Sequence, residues 1–337
     1  MMKVLLQRLI EGGNLAQSES AELFDAIMGG TVPPAQVAGL LVALRAKGET
    51  VEEIAGAASS MRRHAVFIDA GGLRVVDTCG TGGDGSGTFN ISTTAAFVVA
   101  GSGVPVAKHG NRAISSQCGS ADVLTALGVN IEVTPDVMES CIREAGIGFL
   151  YAPKLHPAMK HAMGVRRELG VRTIFNLLGP LTNPAGARGQ VLGVFAPELT
   201  ECLAEVLRLL GSQRAFVVHG SDGLDEITVT GPSRICELRE GRVSTYNLDP
   251  LRYFGQYAEA AELRGGTPDV NAGITRRVLA GEKGACRDIV CINAAAAIAA
   301  GGRAPDIEGG LELARQSIDS GYAQKALDRL VALSKAG

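Results

Sequence analysis

Tryptophan is absent from the 337-residue sequence, and aromatic residues as a whole make up only 4% of it. Nowhere do about eighteen apolar residues follow one another, which is the length that would span a bilayer. The apolar start of the chain is broken by Arg8 and Glu11 and is not followed by a small-residue cleavage site. These absences argue against a membrane span and a secretory leader, so we expect a cytoplasmic protein without a membrane partner.

Cysteine pairs and basic clusters are also missing. Seven cysteines are scattered without a CxxC motif, and five histidines include no HExxH motif, which favours reduced thiols and argues against a zinc site. The formal net charge is −3 and the pI is about 6.0, and the arginine pairs lie far apart in sequence. A chain of this charge has no general attraction to polyanions, so we expect no nucleic-acid partner.

Residues 1–72 carry helix signals only. A cap at Ser18, a stop at Gly29-Gly30, a start at Pro33-Pro34 and a capping box from Thr50 to Glu53 mark the expected helix ends. We therefore predict a small all-helical domain at 1–72, completed by the strand-free segment at about 160–186, and a larger α/β domain at 73–337.

Short β-branched runs alternate with helical patterns from Leu73 onward, which is typical of an α/β domain with a mostly parallel central sheet. The predicted strands are LRVVDT, VPVAKH, VNIEV, IGFLYA, QVLGVF and RAFVVHG. An antiparallel stretch is predicted near 226–239, where EITVTG and RICELR follow each other closely. In such a domain, ligands bind at the carboxyl ends of the parallel strands.

A glycine-rich loop follows the first predicted strand. The stretch from Asp77 to Thr93 reads DTCGTGGDGSGTFNIST, and its part from Gly80 to Gly85 formally matches GxGxxG. A dinucleotide-binding fold would place an acidic residue at the end of the second strand, but that strand ends in Lys-His-Gly-Asn at 108–111. The Walker pattern is absent as well, because no Gly-Lys-Ser/Thr follows.

A cradle of backbone amides for an anion is the function that remains for this loop. Glycines allow close approach of the anion and positive φ, and a helix predicted to begin near Asn90 adds aligned N–H groups. Lys108 would supply a full positive charge to a bound phosphate. The alternative is a tight strand-to-helix turn that binds nothing.

The presence of carboxylates near this cradle requires an explanation, because carboxylates repel phosphate. Asp84 lies within the glycine loop, and the later loop HGSDGLDE carries Asp225 and Glu226. Carboxylates bind sugar hydroxyls or magnesium, so we expect a phosphate ligand that carries a sugar or arrives with Mg²⁺. Asp225 and Glu226 share one ion only if the backbone turns there; otherwise we expect two Mg²⁺ ions. A solvated acidic turn is the competing interpretation.

The order of these motifs points to one family. The chain closely resembles the anthranilate phosphoribosyltransferase family in the motifs GTGGDG, NIST, KHGNRAISSQCGSADVL, GVRRELGVRTIFNLLGPLTNP and HGSDGLDE, and its helical start is similar as well. The resemblance covers nearly the whole chain. It implies a small helical domain joined to an α/β domain, an active site in the cleft, and a homodimer that pairs through the helical domains.

The resemblance also implies a reaction, in which the amine of anthranilate displaces pyrophosphate from C1 of phosphoribosyl pyrophosphate with Mg²⁺ as the cofactor. The residues implied for phosphoribosyl pyrophosphate are Gly80, Gly83, Asp84, Thr88, Asn90, Ser92, Thr93, Lys108 and Ser120. The residues implied for magnesium are Ser92, Asp225 and Glu226, and those for anthranilate are Gly80, Asn111 and Arg166. The expected catalytic residues are Lys108, Asp225 and Glu226.

Arg166 and Cys118 raise separate questions within these motifs. The planar guanidinium of Arg166 matches a carboxylate, but the sequence equally allows a surface residue of the pair Arg166-Arg167. The sequence does not decide whether Arg166, Arg167 or Arg172 faces the cleft. Cys118 stands where a small hydroxyl residue is more usual in the family, which leaves open whether its side chain forms a hydrogen bond.

Two alternatives remain. A pyrimidine nucleoside phosphorylase-like enzyme would not need the acidic pair and would carry a lysine-rich phosphate motif. A non-catalytic nucleic-acid-binding relative would carry a basic groove and altered glycine and acidic motifs. The sequence shows none of these features.

Overall fold

The computed structural model describes residues 2–113 and 117–336. A group of N-terminal helices packs beside a larger α/β domain, which confirms the predicted fold class. No helix in these ranges is both long and apolar enough to cross a lipid bilayer. The helices are α1 Met2–Ile10, α2 Gln17–Met28, α3 Pro34–Lys47, α4 Val51–Arg63, α5 Ile91–Gly101, α6 Ser120–Leu127, α7 Pro135–Ser140, α8 Ala152–Leu155, α9 Lys160–Leu169, α10 Phe175–Leu178, α11 Leu199–Leu209, α12 Leu251–Phe254, α13 Pro268–Leu279, α14 Ala285–Ala300, α15 Ile307–Asp319 and α16 Tyr322–Ala336.

Local sequence explains where the N-terminal helices begin and end. The Thr50 hydroxyl accepts a hydrogen bond from the Glu53 amide at 3.3 Å, and the Glu53 carboxylate accepts one from the Thr50 amide at 2.8 Å. This is the predicted capping box, and α4 begins directly after it. α3 begins at Pro34 and α2 is followed by Gly29, as predicted.

The predicted cap at Ser18 is wrong, because α2 begins at Gln17 with Ala16 as its N-cap. The carboxylate of Glu19 accepts a hydrogen bond from the Ala16 amide at 2.9 Å and pairs with Arg8. A glutamate inside the first turn therefore closes the start of the helix, and the helix begins before the serine.

The central sheet has the strand order β3-β2-β1-β4-β5-β6-β7. Its strands are β1 Val76–Gly80, β2 Val106–Gly110, β3 Ile147–Tyr151, β4 Gly189–Gly193, β5 Arg214–Gly220, β6 Ser233–Arg239 and β7 Arg242–Leu248. The neighbours from β3 to β5 are parallel, whereas β6 and β7 are antiparallel additions. Five of the predicted strands correspond to β1–β5.

The prediction of a strand at VNIEV, residues 129–133, is wrong. Its alternate valine and isoleucine side chains are buried, which produces the strand-like pattern. The backbone amides bond elsewhere, however: the Asn130 amide donates to Ser334 Oγ of α16 at 3.0 Å. The alternating burial of residues 129–133 therefore comes from packing against helices, although the segment has no strand partner.

The antiparallel part of the sheet lies later in the chain than predicted. The stretch near 226–239 contains only β6, which pairs with β5 and β7. The run EITVTG does not join the sheet, because the Ile227 amide donates to Asn293 Oδ1 and the Thr228 amide to Ser233 Oγ, each at 2.9 Å. These side chains accept from the backbone amides that a strand would have used for pairing. β6 therefore forms its hairpin with β7.

In the described residues, two large hydrophobic clusters and a smaller one beside β2 and β3 pack on the two faces of the sheet. One large cluster lies under α5, α6 and α13–α16. The other large cluster joins α1–α4 to α9 and α10 and continues beneath α11 onto the opposite face. The later helices α9 and α10 therefore share a core with the N-terminal helices, which supports our proposal that about 160–186 completes the helical domain.

Candidate active site

The centre of the sheet forms a crevice at the carboxyl ends of its strands. The chain runs from β1 through β2 to β3 and then returns to the other side of β1 as β4, which makes β1 and β4 the topological switch point. The Thr81 amide donates to the Gly193 carbonyl at 2.8 Å and joins the loop after β1 to the end of β4. Ligands of open α/β sheets bind at such a point.

Two glycines let the loop after β5 approach this crevice closely. A Cβ atom at Gly80 would lie 2.3 Å from Asp225 Oδ2, and one at Gly193 would lie 1.5 Å from the Asp225 carbonyl oxygen. Within the glycine loop, Gly82 and Gly83 have φ angles of 66° and 78°, which favour glycine. Gly80 and Gly193 therefore make room for Asp225, a use of glycine that the sequence did not reveal.

Asp225 and Glu226 face the glycine loop and the start of α5. Asp225 Oδ2 accepts a hydrogen bond from the Gly82 amide at 2.8 Å, and Glu226 Oε1 accepts one from the Ser92 amide at 3.1 Å. The chain bends at both residues and does not continue as a regular strand. Both carboxylates therefore point toward the same crevice, as binding of a shared ion requires.

The electrostatics of this pair favour a cation. Burial raises the pKa of Glu226 to about 8, and repulsion from Asp225 adds to the rise. Burial, followed by repulsion from Asp84, raises the pKa of Asp225 to about 6. Ionisation of each carboxylate is therefore costly, and a divalent ion would offset that cost by neutralising their charge.

The donor set fits Mg²⁺ in an incomplete site. Across 2–113 and 117–336, no three histidine, cysteine, aspartate or glutamate side chains form a group that could hold a metal by themselves. Mg²⁺ is usually bound through one or two carboxylates, and water and substrate phosphates complete its coordination. Asp225, Glu226 and the hydroxyl of Ser92 supply oxygen atoms of the type that it prefers.

Lys108 lies on β2, with only 3% of its surface exposed. Its ammonium donates to the carbonyl oxygen of Thr78 on β1 and lies 3.5 Å from the Thr78 hydroxyl. Its charge opposes the rise in the pKa of Glu226. Lys108 therefore supplies a positive charge near the acidic pair from a buried position between β1 and β2.

The start of α5 is tied to the loop that precedes α6. Asn90 is the N-cap of α5; its Nδ2 donates to the Cys118 carbonyl at 3.1 Å, and its Oδ1 accepts from Asn271 Nδ2 at 3.0 Å and from Cys118 Sγ at 3.2 Å. The sequence left open whether the Cys118 side chain forms a hydrogen bond, and in the structure its thiol does. Thr93 is buried on the same helix. Residues 114–116 of the KHGNRAISSQCGSADVL motif lie outside the described residues.

The remaining predicted phosphate ligands lie at the edges of the two loops. Ser120 Oγ donates to the Asn111 carbonyl at 3.2 Å, and Asn111 Oδ1 accepts from the next backbone amide at 2.8 Å. In the glycine loop, the Asp84 carboxylate accepts from the Ser86 hydroxyl at 2.6 Å, and that hydroxyl lies 3.4 Å from Thr88 Oγ1. These polar groups already have internal partners, which fix their positions.

Arg172 contacts the glycine loop directly. Its Nη2 donates to the Gly83 carbonyl at 2.6 Å, and its guanidinium lies 4.1 Å from the centre of the Phe195 ring. The sequence marks Arg172 only as one of three arginines in a motif, and no local signal separates it from the others. The structure shows that it links the segment after α9 to the cradle.

Arg166 lies on α9, half buried, with its guanidinium 5.2 Å from the centre of the Phe175 ring. Burial lowers the pKa of Arg166. In the described ranges, no hydrogen bond or ion pair joins Arg166 to Gly80, Asn111 or any carboxylate. The structure therefore does not bring the predicted anthranilate residues into direct contact, and their shared site stays a prediction.

Two domain models match the chain in the order that the fold shows. The helical bundle domain of the glycosyl transferase family matches residues 3–65, and the a/b domain of the same family matches residues 72–324. The fold and the two matches thus define a glycosyltransferase built from these two domains.

Relatives along the whole chain narrow this class. Anthranilate phosphoribosyltransferase of Desulfosudis oleivorans is 55% identical over 336 residues, which cover 99% of each chain. The crystal structure of the Thermus thermophilus enzyme has a TM-score of 0.93 at 46% identity and covers 98% of this chain and 99% of its own. The Saccharomyces cerevisiae enzyme in complex with PRPP and Mg has a TM-score of 0.89 at 28% identity and covers 100% and 98%. The chain belongs to the anthranilate phosphoribosyltransferase family, whose members are pentosyltransferase enzymes.

Proposed function

We propose that the chain transfers the 5-phosphoribosyl group of phosphoribosyl pyrophosphate to the amine of anthranilate. The products are N-(5-phosphoribosyl)anthranilate and pyrophosphate, in a step of tryptophan biosynthesis. One observation carries the proposal: amides of the glycine loop and of α5 hold the carboxylates of Asp225 and Glu226 at the switch point of the sheet. The yeast relative with PRPP and Mg supports the same pairing of a phosphorylated sugar with a cation.

The glycine loop and the start of α5 are the proposed site for phosphoribosyl pyrophosphate. Its proposed ligands are Gly80, Gly83, Asp84, Thr88, Asn90, Ser92, Thr93, Lys108 and Ser120. The amides of Gly82 and Ser92 donate to the acidic pair in this structure, and amides of a glycine loop and a helix start are also suited to phosphate; Asp225 and Glu226 would hold magnesium beside them. Asp84 then binds sugar hydroxyls or metal-bound water without opposing the phosphate charge.

Ser92, Asp225 and Glu226 are the proposed magnesium ligands. Because the chain bends at the acidic pair, both carboxylates can hold one ion, and we propose a second ion that is held mainly by the many oxygen atoms of the diphosphate. Bound magnesium supplies charge neutralisation of the pyrophosphate leaving group. The raised pKa values of both carboxylates support this assignment, because burial and then repulsion from a neighbouring carboxylate make their ionised forms costly, and a divalent ion would offset that cost.

Anthranilate is proposed to bind between Gly80, Asn111 and Arg166. The Arg166 guanidinium is half buried and stacked near Phe175, which orients its planar fork of donors for a carboxylate. Arg172 is the nearer arginine to the glycine loop, so it is the competing candidate for the same role.

The proposed mechanism depends on position and charge and needs no covalent enzyme intermediate. The amine of anthranilate is already a neutral nucleophile, so no strong base is required. Departure of pyrophosphate runs ahead of amine attack, and the ribose passes through an oxocarbenium-like transition state. Lys108 offsets part of the charge that grows on the leaving group, while the loops hold the two substrates in line.

We also propose a cytoplasmic homodimer that pairs through the helical domains. Val4 and Ile10 of α1 are each 64% exposed, and Val42 of α3 is 45% exposed. Exposed apolar side chains on two neighbouring helices suit burial against a second copy. Light scattering after gel filtration tests this: a monomeric mass at micromolar concentration would contradict it.

The acidic pair provides the test of the proposed function. We expect the double variant Asp225→Asn/Glu226→Gln to lose at least about a hundredfold in turnover at limiting magnesium, because the shapes remain while the charge is lost. Glu240→Gln, at the exposed hairpin turn between β6 and β7, is the matched control and should keep normal turnover. Near-normal turnover of the double variant would overturn the assignment.

A further inference from the structure

The hydrogen-bond ladder between β1 and β2 ends earlier than the ladders beside it. β1 pairs with β4, and β2 with β3, over all five residues of each strand. β1 and β2 pair only at Val76 and Val106, where the Val76 amide also bonds to the Pro105 carbonyl at 2.9 Å. Beyond this point the two strands no longer pair as they approach the crevice.

Two buried side chains fill the space that the ladder leaves. Asp77 is fully buried and accepts a hydrogen bond from the His109 amide of β2 at 3.1 Å. Asn183 is 5% exposed, and its Nδ2 donates to the Asp77 carboxylate and to the Ala107 carbonyl, each at 2.7 Å. The side chains therefore satisfy backbone groups of β2 that a continuous ladder would have paired with β1.

Lys108 occupies the same gap. Its ammonium donates to the carbonyl of Thr78, the residue after Asp77 on β1. Burial raises the pKa of Asp77, and the charge of Lys108 is the first effect that opposes the rise. Their opposite charges therefore stabilise each other, while separate hydrogen bonds to Thr78 and to Asn183 hold the Lys108 and Asp77 side chains in place.

Asn183 also anchors the segment that leads from the helices back to the sheet. This segment begins at Gly179, whose carbonyl lies 3.1 Å from His109 Nδ1. Next to it, the Pro180 carbonyl accepts a hydrogen bond from Gln190 Nε2 of β4 at 2.6 Å. One amide side chain thus connects β1, β2 and the return from α10.

We infer that Asp77 and Asn183 are a pair of positioning residues, which hold β2 apart from β1 so that Lys108 is fixed beside the acidic pair. Neither residue is proposed to touch a substrate. The expected effect on turnover rests on the proposed function, whereas the position of Lys108 can be measured independently of any reaction.

Kinetics provide the first test, with the variants Asp77→Asn and Asn183→Ala. Asp77→Asn keeps the shape but sets an amide donor against either the His109 backbone amide or the Asn183 amide, and it removes a buried negative charge. We expect kcat to fall about 30- to 100-fold in both variants because Lys108 is misplaced by a fraction of a bond length or more, while KM for each substrate changes less than about threefold.

Gln190→Met is the matched control. Gln190 is 2% exposed and anchors the same segment, but its bonds go to the Pro180 carbonyl and the Cys79 thiol and not to β2. We expect it to lower thermal stability by an amount similar to the other variants while kcat stays within about threefold of the wild type. An equal fall of kcat in Gln190→Met would show a merely structural effect and would overturn the inference.

Chemical labelling of Lys108 provides the second test. Acetic anhydride acylates exposed lysines, and mass spectrometry reads the rate at Lys108 in the folded protein. We expect at least a tenfold faster acylation of Lys108 in Asp77→Asn and Asn183→Ala than in the wild type or Gln190→Met. Unchanged protection in both variants would overturn the inference. A wild type without transferase activity but with this labelling pattern would refute the proposed function and leave the positioning role supported; if Asp77→Asn does not fold, Asn183→Ala decides.

Discussion

Replacement of Gly193 by alanine should displace Asp225 and so impair the acidic pair, although Gly193 is not itself a member of that pair. A Cβ atom at this position would lie 1.5 Å from the Asp225 carbonyl oxygen, whereas ordinary contacts begin at 3.4 Å. The backbone of Asp225 must therefore move by about 1.9 Å, and a side-chain rotation cannot relieve the clash. A displacement of this size in a catalytic group costs about a hundredfold in rate, and overpacking of this kind costs about 1–3 kcal/mol of stability.

Turnover and thermal unfolding of three alanine variants test this reasoning. Gly80→Ala clashes with the Asp225 side chain, whose Oδ2 and Cγ would lie 2.3 Å and 3.0 Å away, while the Asp225 carbonyl oxygen stays at an ordinary 3.4 Å; the side chain can rotate, so the loss should be smaller. Gly164→Ala, in α9, has no atom within 4 Å of the new Cβ and should keep full turnover. The expected order of damage is Gly193, then Gly80, then Gly164. Wild-type turnover in Gly193→Ala would refute the claim that the end of β4 positions Asp225.

Three further predictions concern buried titratable groups and an arginine that contacts the glycine loop. Glu53→Ala should lower the free energy of unfolding in urea by about 3–5 kcal/mol, because it leaves the Lys47 ammonium, 2.9 Å away, buried without its partner; a loss below about 1 kcal/mol would contradict this. Burial lowers the pKa of His109 to about 3 and that of His156 to about 4, so the unfolded chain binds more protons below about 6.5. The free energy of unfolding should therefore fall as the pH drops from about 6.5 to about 4, by up to about 1.4 kcal/mol per pH unit for each imidazole. This dependence on pH should be weaker in His156→Asn, and an unchanged dependence would contradict the prediction. Arg172→Ala should raise KM for phosphoribosyl pyrophosphate about fivefold through loss of its bond to the glycine loop, which initial-rate kinetics can measure; an unchanged KM would rule out this role.

Features with a local physical cause were predictable from the sequence. The capping box at Thr50 and Glu53 places both partners within one turn, and the structure has it. The runs that became β1–β5 are short, rich in apolar and β-branched residues, and separated by helical patterns. The glycine loop and the acidic pair were found because their residue types are unusual at a strand end.

Features that depend on distant partners were missed. The Ser18 cap is the exception, because a neighbouring residue, Glu19, closes the helix instead. The run VNIEV alternates as a strand does, yet its backbone bonds to α16, which lies about two hundred residues later. Asp77 and Asn183 meet across 106 residues of sequence, and no local pattern pairs them.

The orientation of the three arginines near the site also depends on distant partners and could not be predicted from the sequence. Arg166, Arg167 and Arg172 carry the same group within seven positions, and side-chain type alone cannot say which one points inward. The structure separates them through aromatic contacts, because Arg166 lies near Phe175 and Arg172 near Phe195. Neither contact can be read from sequence spacing.

The decay of anthranilate fluorescence in the presence of phosphoribosyl pyrophosphate is the most direct test of the proposed activity. The purified chain should consume anthranilate only when both phosphoribosyl pyrophosphate and Mg²⁺ are present, and Asp225→Asn/Glu226→Gln should abolish the decay. A folded wild-type protein that leaves anthranilate unchanged with both present would contradict the account and favour a phosphorylase-like or nucleic-acid-binding relative.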